Sequence, residues 1–441
     1  MYKGKDRKTV PLFEELFPFG GKLDENNRWL RISELIPWDK LETKYSLYFS
    51  EIGRPGLDSR LVVGLFLLKH MSDLSDKEVV LELQENPYWQ AFCGLEHFAS
   101  GSLLNDSSLS KLRKRLGTKY FKELEEETYK VLVERKIIKA KGMLVDATVF
   151  PENVKRPNDV GLLNDARQWL VDNLKYFGKK TGKQYRTYCR KAKKVYLEFS
   201  KKRRKTKKDI NRTKKQMLQY VIRNINQMHD VIEKLKQSSF EVSQKVRDKL
   251  QTAMTIYSQQ FEMYKKNIHR VKDRIVSFHR PYVRPVKRGK MGKDVEFGPK
   301  ASLTHVDGFL FLDYFSHDNY SEAKTEVVEK QIKDYWDLFG RKPPSLTGDK
   351  LYGNRENRGL LKDKEIKDAF CPLGRKKNNP SSKNRWFKKK QKERNRIEGH
   401  FGNGKEHYGL DRIKYNGVEG AELWVRAGIM AMNLKTALKR M

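Results

Sequence analysis

Only three cysteines stand in the 441 residues: Cys93, Cys189 and Cys371, far apart and without a C-x-x-C pair. That scarcity argues against a disulfide framework and against a thiolate zinc site, and it fits reduced thiols inside a cell. Long apolar runs are missing too. The longest, Leu61–Leu68, has 8 residues, where a membrane-spanning helix needs about 20. Met1–Val10 is charged and no apolar segment follows it, so no signal peptide is expected. Acidic residues are the third shortage. Asp and Glu number 56 against 93 Lys and Arg, a formal net charge of +37. An excess that large concentrates polyanions and speeds their capture. Apolar material is not short: 38% hydrophobic content with 7 Trp, 20 Tyr and 22 Phe excludes wholesale disorder. At about 150 residues per domain, the length predicts two or three domains.

Four stretches separate along the chain. Residues 1–139 carry helical periodicity and few strand signals. Ser75 and Glu78 form a capping-box pattern at a helix start. Asn105-Asp106-Ser107-Ser108 opens a basic helix, Leu109–Leu116, carrying Lys111, Arg113, Lys114 and Arg115, with Gly117 as its stop. This helix reads either as a DNA-reading helix or as a charged surface helix. A short strand follows, Gly142–Val149, and Asp146 sits inside it. Asp is depleted in strands and costly to bury unpaired, and such violations of local rules tend to mark function.

Residues 158–280 read as almost all helix. Leu218, Val221, Ile225, Met228, Ile232 and Leu235 form a heptad seam. A second runs Leu250, Ala253, Tyr257, Phe261, Tyr264, Ile268, Val271, Ile275, Phe278. With a break at Ser238, the two predict an antiparallel helical hairpin that either dimerises or packs on itself. Between Arg190 and Lys215, 14 Lys/Arg face two acids. The core of this run, Lys201, Lys202, Arg203, Arg204 and Lys205, suits phosphate contacts that read no sequence.

From about Phe297 onward, strands alternate with helices. Ala301–Val306 and Phe309–Phe315 are joined by Asp307-Gly308, a strong hairpin signal. Glu322–Trp336 reads as helix, and Ser345–Asp349 and Ile366–Cys371 as strands. A helix from Gln391 to His407 ends a very basic segment, with 11 Lys/Arg between Arg375 and Arg396.

Three acids stand out: Asp146 in the first strand, Asp349 closing a later one, and Glu398 on the basic helix. Converging carboxylates can hold two Mg2+ ions, which are hard and take oxygen ligands. At 100° per residue, Arg394 and Lys405 lie within roughly 40° of Glu398 on the helix. An i,i+4 ion pair on a solvated face is the plainer account of Arg394 and Glu398 taken alone.

Together these residues resemble the insertion-sequence DDE transposases. Val145-Asp146-Ala147-Thr148 resembles the first-Asp strand, and Gly348-Asp349-Lys350-Leu351-Tyr352-Gly353 the second. Arg394, Glu398 and Lys405 resemble the Arg–Glu–Lys part of the family's Tyr–Arg–Glu–Lys signature, whose Tyr is replaced here by Gln391. The N-terminal block resembles the family's helical domain at Gly53-Arg54-Pro55, Leu74-Ser75-Asp76, Cys93-Gly94-Leu95 and Ser107–Gly117.

The resemblance implies an α/β catalytic domain, ribonuclease-H-like, of the retroviral integrase superfamily, with a mixed sheet flanked by helices. That domain would span 140–157 and 281–441. An all-α DNA-binding domain at 1–139 and a basic helical insertion at 158–280 complete the expected layout. It also implies Mg2+-dependent cleavage at transposon ends and joining of the 3′-hydroxyl to target DNA. Two ions would be held by Asp146, Asp349 and Glu398, with Mn2+ able to substitute. Arg394 and Lys405 would contact DNA. A homodimer or higher assembly on DNA, in a bacterial cytoplasm at the nucleoid and away from membranes, belongs to the same expectation. Two alternatives stay open: a catalytically silent DNA-binding or scaffolding derivative, and a nuclease of the same fold that cuts without joining. Histidines 305, 317, 400 and 407 read as structural or surface groups, with His317 a candidate for the edge of the site. Asp307 reads as a turn residue.

Overall fold

Local signals set most of the N-terminal helices. α1 (Arg28–Ser33) is capped by Asn27, α2 (Trp38–Ser46) follows Pro37, and Asp58 caps α3 (Ser59–Met71). The Ser75–Glu78 capping box opens α4 (Asp76–Glu85). α5 (Pro87–Phe92) begins with Pro at its first position, where no backbone donor is needed. α6 (Asp106–Glu134) contains the expected basic helix, but Gly117 does not end it. Gly117 takes φ 62° and ψ −174°, so the helix kinks there and restarts. The computed structural model describes residues 23–441 apart from 51, 54, 100, 288–294 and 375–384. Met1–Val10, Arg54 of the Gly53-Arg54-Pro55 match and residues 375–384 of the basic segment lie outside the described residues.

The chain divides into two compact units, residues 1–152 with 298–441, and residues 153–297. In the first unit, five strands form one mixed sheet. They are β1 (Met143–Val149), β2 (Lys300–Val306), β3 (Phe309–Ser316), β4 (Ser345–Thr347) and β5 (Lys367–Asp368), in the spatial order β3-β2-β1-β4-β5. β1–β2 and β2–β3 are antiparallel; β1–β4 and β4–β5 are parallel. The β2–β3 turn has positive φ at both Asp307 (51°) and Gly308 (91°), the geometry that favours this dipeptide in tight hairpins.

The remaining helices of this unit are α11 (Thr325–Phe339), α12 (Arg355–Asp363), α13 (Arg385–His407) and α14 (Val418–Leu438). α11 and α12 share a core with Met143, Val145, Leu346 and Phe370 on one face of the sheet. A larger core unites Leu303, Leu310 and Leu312 with α14 and the N-terminal helices. α14 was not foreseen. Its sequence is apolar on nearly every side because α3, α6 and the sheet surround it, so no amphipathic stripe announces it.

The second unit holds α7 (Asp159–Lys180), α8 (Cys189–Lys201), α9 (Lys207–Gln237) and α10 (Gln244–Lys266), with a two-stranded ribbon, Pro285–Lys287 against Val295–Phe297. The first heptad seam is buried, with Ile232 only partly so. The second departs from expectation. α10 buries Leu250, Ala253, Ile256, Gln260 and Met263, leaving Phe261 at the surface. The polar Gln260 holds an inward position, so the apolar letters alone mark a neighbouring stripe. The helix also stops at Lys266, where Asn267 turns left-handed at φ 52°. Ile275 and Phe278 reach the core from irregular chain.

Candidate active site

Gly142 leads into β1 where β1 and β4 approach closely. A Cβ there would stand 2.3 Å from Ser345 Oγ. The parallel register pairs Met143 with Leu346 and Leu144 with Thr347, an offset of 203. The strand expected to close on Asp349 ends at Thr347, so Asp349 stands two residues beyond β4, while Asp146 lies in the middle of β1, two residues past its last pair with β4. Side chains alternate along β1. Met143 and Val145 enter the core shared with α11 and α12, so Asp146 projects from the other face, where α13 packs on β1.

α13 is fixed from several points. Ile397 is buried, and Gly404 packs against Leu410. Gln391 donates through Nε2 to the carbonyl of Ala369, just past β5. Gln391 thus ties the helix to the sheet edge. On the same helix Arg394 Nη2 lies 4.0 Å from Glu398 Oε1, and the Glu398 side chain is 61% exposed. Lys405 Nζ donates to the Val149 carbonyl at the end of β1 (3.0 Å).

Asp146 senses both of the other acids. Burial raises the Asp146 carboxyl to about 6, and the Ala147 N–H, 2.8 Å from Oδ1, pulls it back down. The charges of Asp349 and Glu398 add to the rise, and Arg394 opposes it. Asp349 Oδ1 accepts from the Leu351 N–H (2.8 Å), at the start of the short 3-10 turn Leu351–Gly353. Gly348 allows that turn: a Cβ there would lie 3.0 Å from the Tyr352 ring. Tyr352 is fully buried, and its hydroxyl has no hydrogen-bond partner. Burial first, then the charge of Asp146, raises it well above its ordinary value. Sequence reasoning missed this group, although its Asp-x-x-Tyr spacing was visible. Among the described residues, no three His, Cys, Asp or Glu side chains close on a common point as a metal-holding group.

The histidines have other occupations. His305 is buried and pushed down to about 3 by burial and by the neighbouring His400, whose ring centre is 4.7 Å away. His317 is buried against Glu152, Nε2 to Oε1 3.1 Å. Asp307 pairs with Lys141 (2.6 Å) and Arg440 (3.0 Å) behind its turn.

The basic candidates fall into two groups. Lys111, Lys114 and Arg115 are exposed on α6, and Lys201, Lys202, Arg203, Arg204 and Lys205 are exposed where α8 gives way to α9. Arg113 differs from its neighbours and corrects the expectation of a surface contact. It is buried, its guanidinium forks onto Asp76 at 2.9 and 2.7 Å, and it stacks 3.9 Å from the Tyr415 ring centre. Its charge is consumed inside the fold.

Asp146 on β1, Asp349 just beyond β4 and Glu398 on a cation-rich helix are the acids of the candidate site. Residues 17–115 match the family described as "Transposase domain (DUF772)", and residues 346–435 match "Transposase DDE domain". The second span contains Asp349, Arg394, Glu398 and Lys405; Asp146 lies outside both. A relative from Rhizobium meliloti, "Uncharacterized protein ORF8 in nfe locus", is 34% identical over 166 residues, covering 37% of this chain and 80% of that protein. No solved structure matches the chain. The chain belongs to the DDE transposases, proteins of mobile elements that act on DNA. No helix among the described residues is long and apolar enough to cross a membrane.

Proposed function

We propose that Asp146, Asp349 and Glu398 form the catalytic triad of an insertion-sequence transposase. The observation that supports this is the charge of Asp349 and of Glu398 felt at the buried Asp146, with the β1–β4 pairing of Leu144 and Thr347 two residues before each Asp. The strand order β3-β2-β1-β4-β5, three strands antiparallel and two parallel, supports a ribonuclease-H-like layout. The donor set fits Mg2+, with Mn2+ as a substitute: all three groups are hard oxygen donors, and their mutual repulsion is what a cation relieves. Two such ions, held by these carboxylates, would supply an activated attacking oxygen and stabilise the leaving one. Asp146 and Asp349 are held by the sheet, and the exposed Glu398 has the side-chain freedom to close on them. Arg394, which pairs with Glu398 and whose charge reaches Asp146, and Lys405, held at the end of β1, neutralise incoming phosphates. The substrates are the element's own ends, nicked to expose a 3′-hydroxyl, and target DNA, which that hydroxyl attacks.

In this reading residues 1–139, with Lys111, Lys114 and Arg115, form a DNA-binding part of the first unit. The insertion at 158–280 brings Lys201–Lys205 to the phosphate backbone, and two or more copies handle the two ends. The test uses duplexes carrying the element's terminal repeats with Mg2+. Wild-type protein nicks and joins. Asp146→Asn, Asp349→Asn and Glu398→Gln each fall to background while still binding DNA. Activity in any one of the three removes that residue from the triad. Nicking without joining makes the protein a nuclease.

A further inference from the structure

The outward face of α9 has an unusual composition. Its inner face buries Met217, Leu218, Val221, Ile225 and Met228. Its outer face exposes Lys208, Arg212, Lys215, Gln219, Arg223 and Asn226. At 100° per residue these six fall within roughly 80° of one another, a single straight stripe. An ordinary solvated helix mixes acids with its bases. Here no acid occurs between Asp209 and Asp230. The stripe is also graded: three cations stand towards the N-terminal end, and an amide, a guanidinium and a second amide follow.

Beside the second half of the stripe lies a groove of about 830 Å3, lined by Arg186, Gln219, Arg223, Asn226 and Gln227 among others. Tyr188 stands between two guanidiniums, 4.8 Å from Arg186 and 4.6 Å from Arg223. That stacking restricts Arg223 before any ligand arrives. Gln227 Nε2 donates to the Arg186 carbonyl (3.3 Å), bracing the same wall. The one carboxylate lining the groove, Asp230, is engaged by Lys183 (2.8 Å) and Tyr185 (2.6 Å), which hold it at about 2.

We propose that α9 is a sequence-reading helix: Gln219, Arg223 and Asn226 contact base edges in the major groove of duplex DNA, while Lys208, Arg212, Lys215 and the Lys201–Lys205 turn contact phosphates. The chemistry is specific to that partner. Arg pairs bidentately with guanine O6 and N7, and Gln and Asn with adenine N6 and N7. An α-helix about 10–12 Å across fits a groove about 12 Å wide. Gln219 to Asn226 covers about 10 Å, or roughly three base pairs at about 3.4 Å each. Cations at one end set register, and the polar trio supplies discrimination. The proposal rests on the reading of the chain as acting on DNA and adds a second determinant of which DNA is chosen.

The test measures the affinity ratio of full-length protein for a terminal-repeat duplex over a scrambled duplex, at fixed salt. Gln219→Ala, Arg223→Ala and Asn226→Ala each lower that ratio by about 5- to 150-fold, the range for losing one good base pairing. For the two amide variants, affinity for the scrambled duplex and its salt dependence stay unchanged. Replacing repeat guanines by 7-deazaguanine, which removes N7 from the major groove, weakens wild type and costs Arg223→Ala nothing further. The proposal is overturned by an unchanged ratio in all three variants, by equal losses on both duplexes, or by a preference only for RNA or single strands. Cleavage that persists in Asp146→Asn, Asp349→Asn or Glu398→Gln, with the ratio still responding to the α9 substitutions, refutes the catalytic triad instead.

Discussion

Asp313 is a buried acid that competes with Asp146 for attention, and Asp313→Asn separates a structural carboxyl from a catalytic one. Asp313 lies on β3, and its Oδ2 accepts from Thr304 Oγ1 (2.8 Å) and Gln331 Nε2 (2.9 Å). Neither donor is charged. Burial lifts the carboxyl from 3.8 to about 7, and the nearby charge of Asp334 adds to the rise, while the two hydrogen bonds and Lys330 oppose it. Between those two values the folded chain holds a proton that the unfolded chain has released. Stability therefore falls as pH rises from about 4 to about 7, and the loss is complete above that. Roughly three pH units at about 1.36 kcal/mol each set an upper bound of about 4 kcal/mol. Asp313→Asn stays neutral throughout. Its amide can also serve Gln331 Oε1, which is buried without a partner. Denaturation of wild type and variant at pH 5 and pH 8, at matched ionic strength, isolates this group from the other acids. The variant's advantage should be about 1.6 kcal/mol at pH 5 and grow to as much as about 4 kcal/mol at pH 8, with DNA cleavage retained. A variant less stable than wild type at pH 8, or an advantage equal at both pH values, would refute the reasoning.

Three other outcomes follow from the same geometry. Mg2+ at ten times its dissociation constant should stabilise the wild type by about 1.4 kcal/mol and Asp146→Asn by much less; equal shifts in thermal melts would detach the ion from Asp146. Arg113→Ala should cost about 3–5 kcal/mol, because Asp76 keeps only Lys69 and the Tyr415 stack is lost. In that variant the folded fraction should bind DNA normally, and a binding defect in protein that melts normally would return Arg113 to the surface. Replacing Lys201–Lys205 with Gln should reduce the log–log salt slope of DNA binding by up to about 4.5, so an unchanged slope would mean this turn touches no phosphate.

What the letters revealed depends on how local each cause was. The Asp307-Gly308 turn, the Ser75–Glu78 capping box and the strand around Asp146 each rest on a few adjacent residues, and each appears in the structure. The kink at Gly117 is half local: the glycine marks the break, but packing on both sides lets α6 resume. Arg113 shows the opposite case. Lys111, Arg113, Lys114 and Arg115 are equivalent as letters in a basic run, and only Asp76, 37 positions earlier, turns one of them inward. The same logic covers the second seam, where the polar Gln260 holds a core position and Asn267 ends the helix before the apolar pattern runs out. It also governs the candidate site. Asp146 and Asp349 stood out as acids in or just after a strand, but what brings their segments together is a β1–β4 pairing between residues 203 positions apart. Tyr352 was not legible, because an aromatic after a turn is ordinary until its hydroxyl is found buried without a partner near Asp146. A group left unsatisfied in the interior costs stability, about 1–3 kcal/mol in mutational series. Its persistence near Asp146 and Asp349 fits a site whose arrangement serves chemistry rather than stability alone.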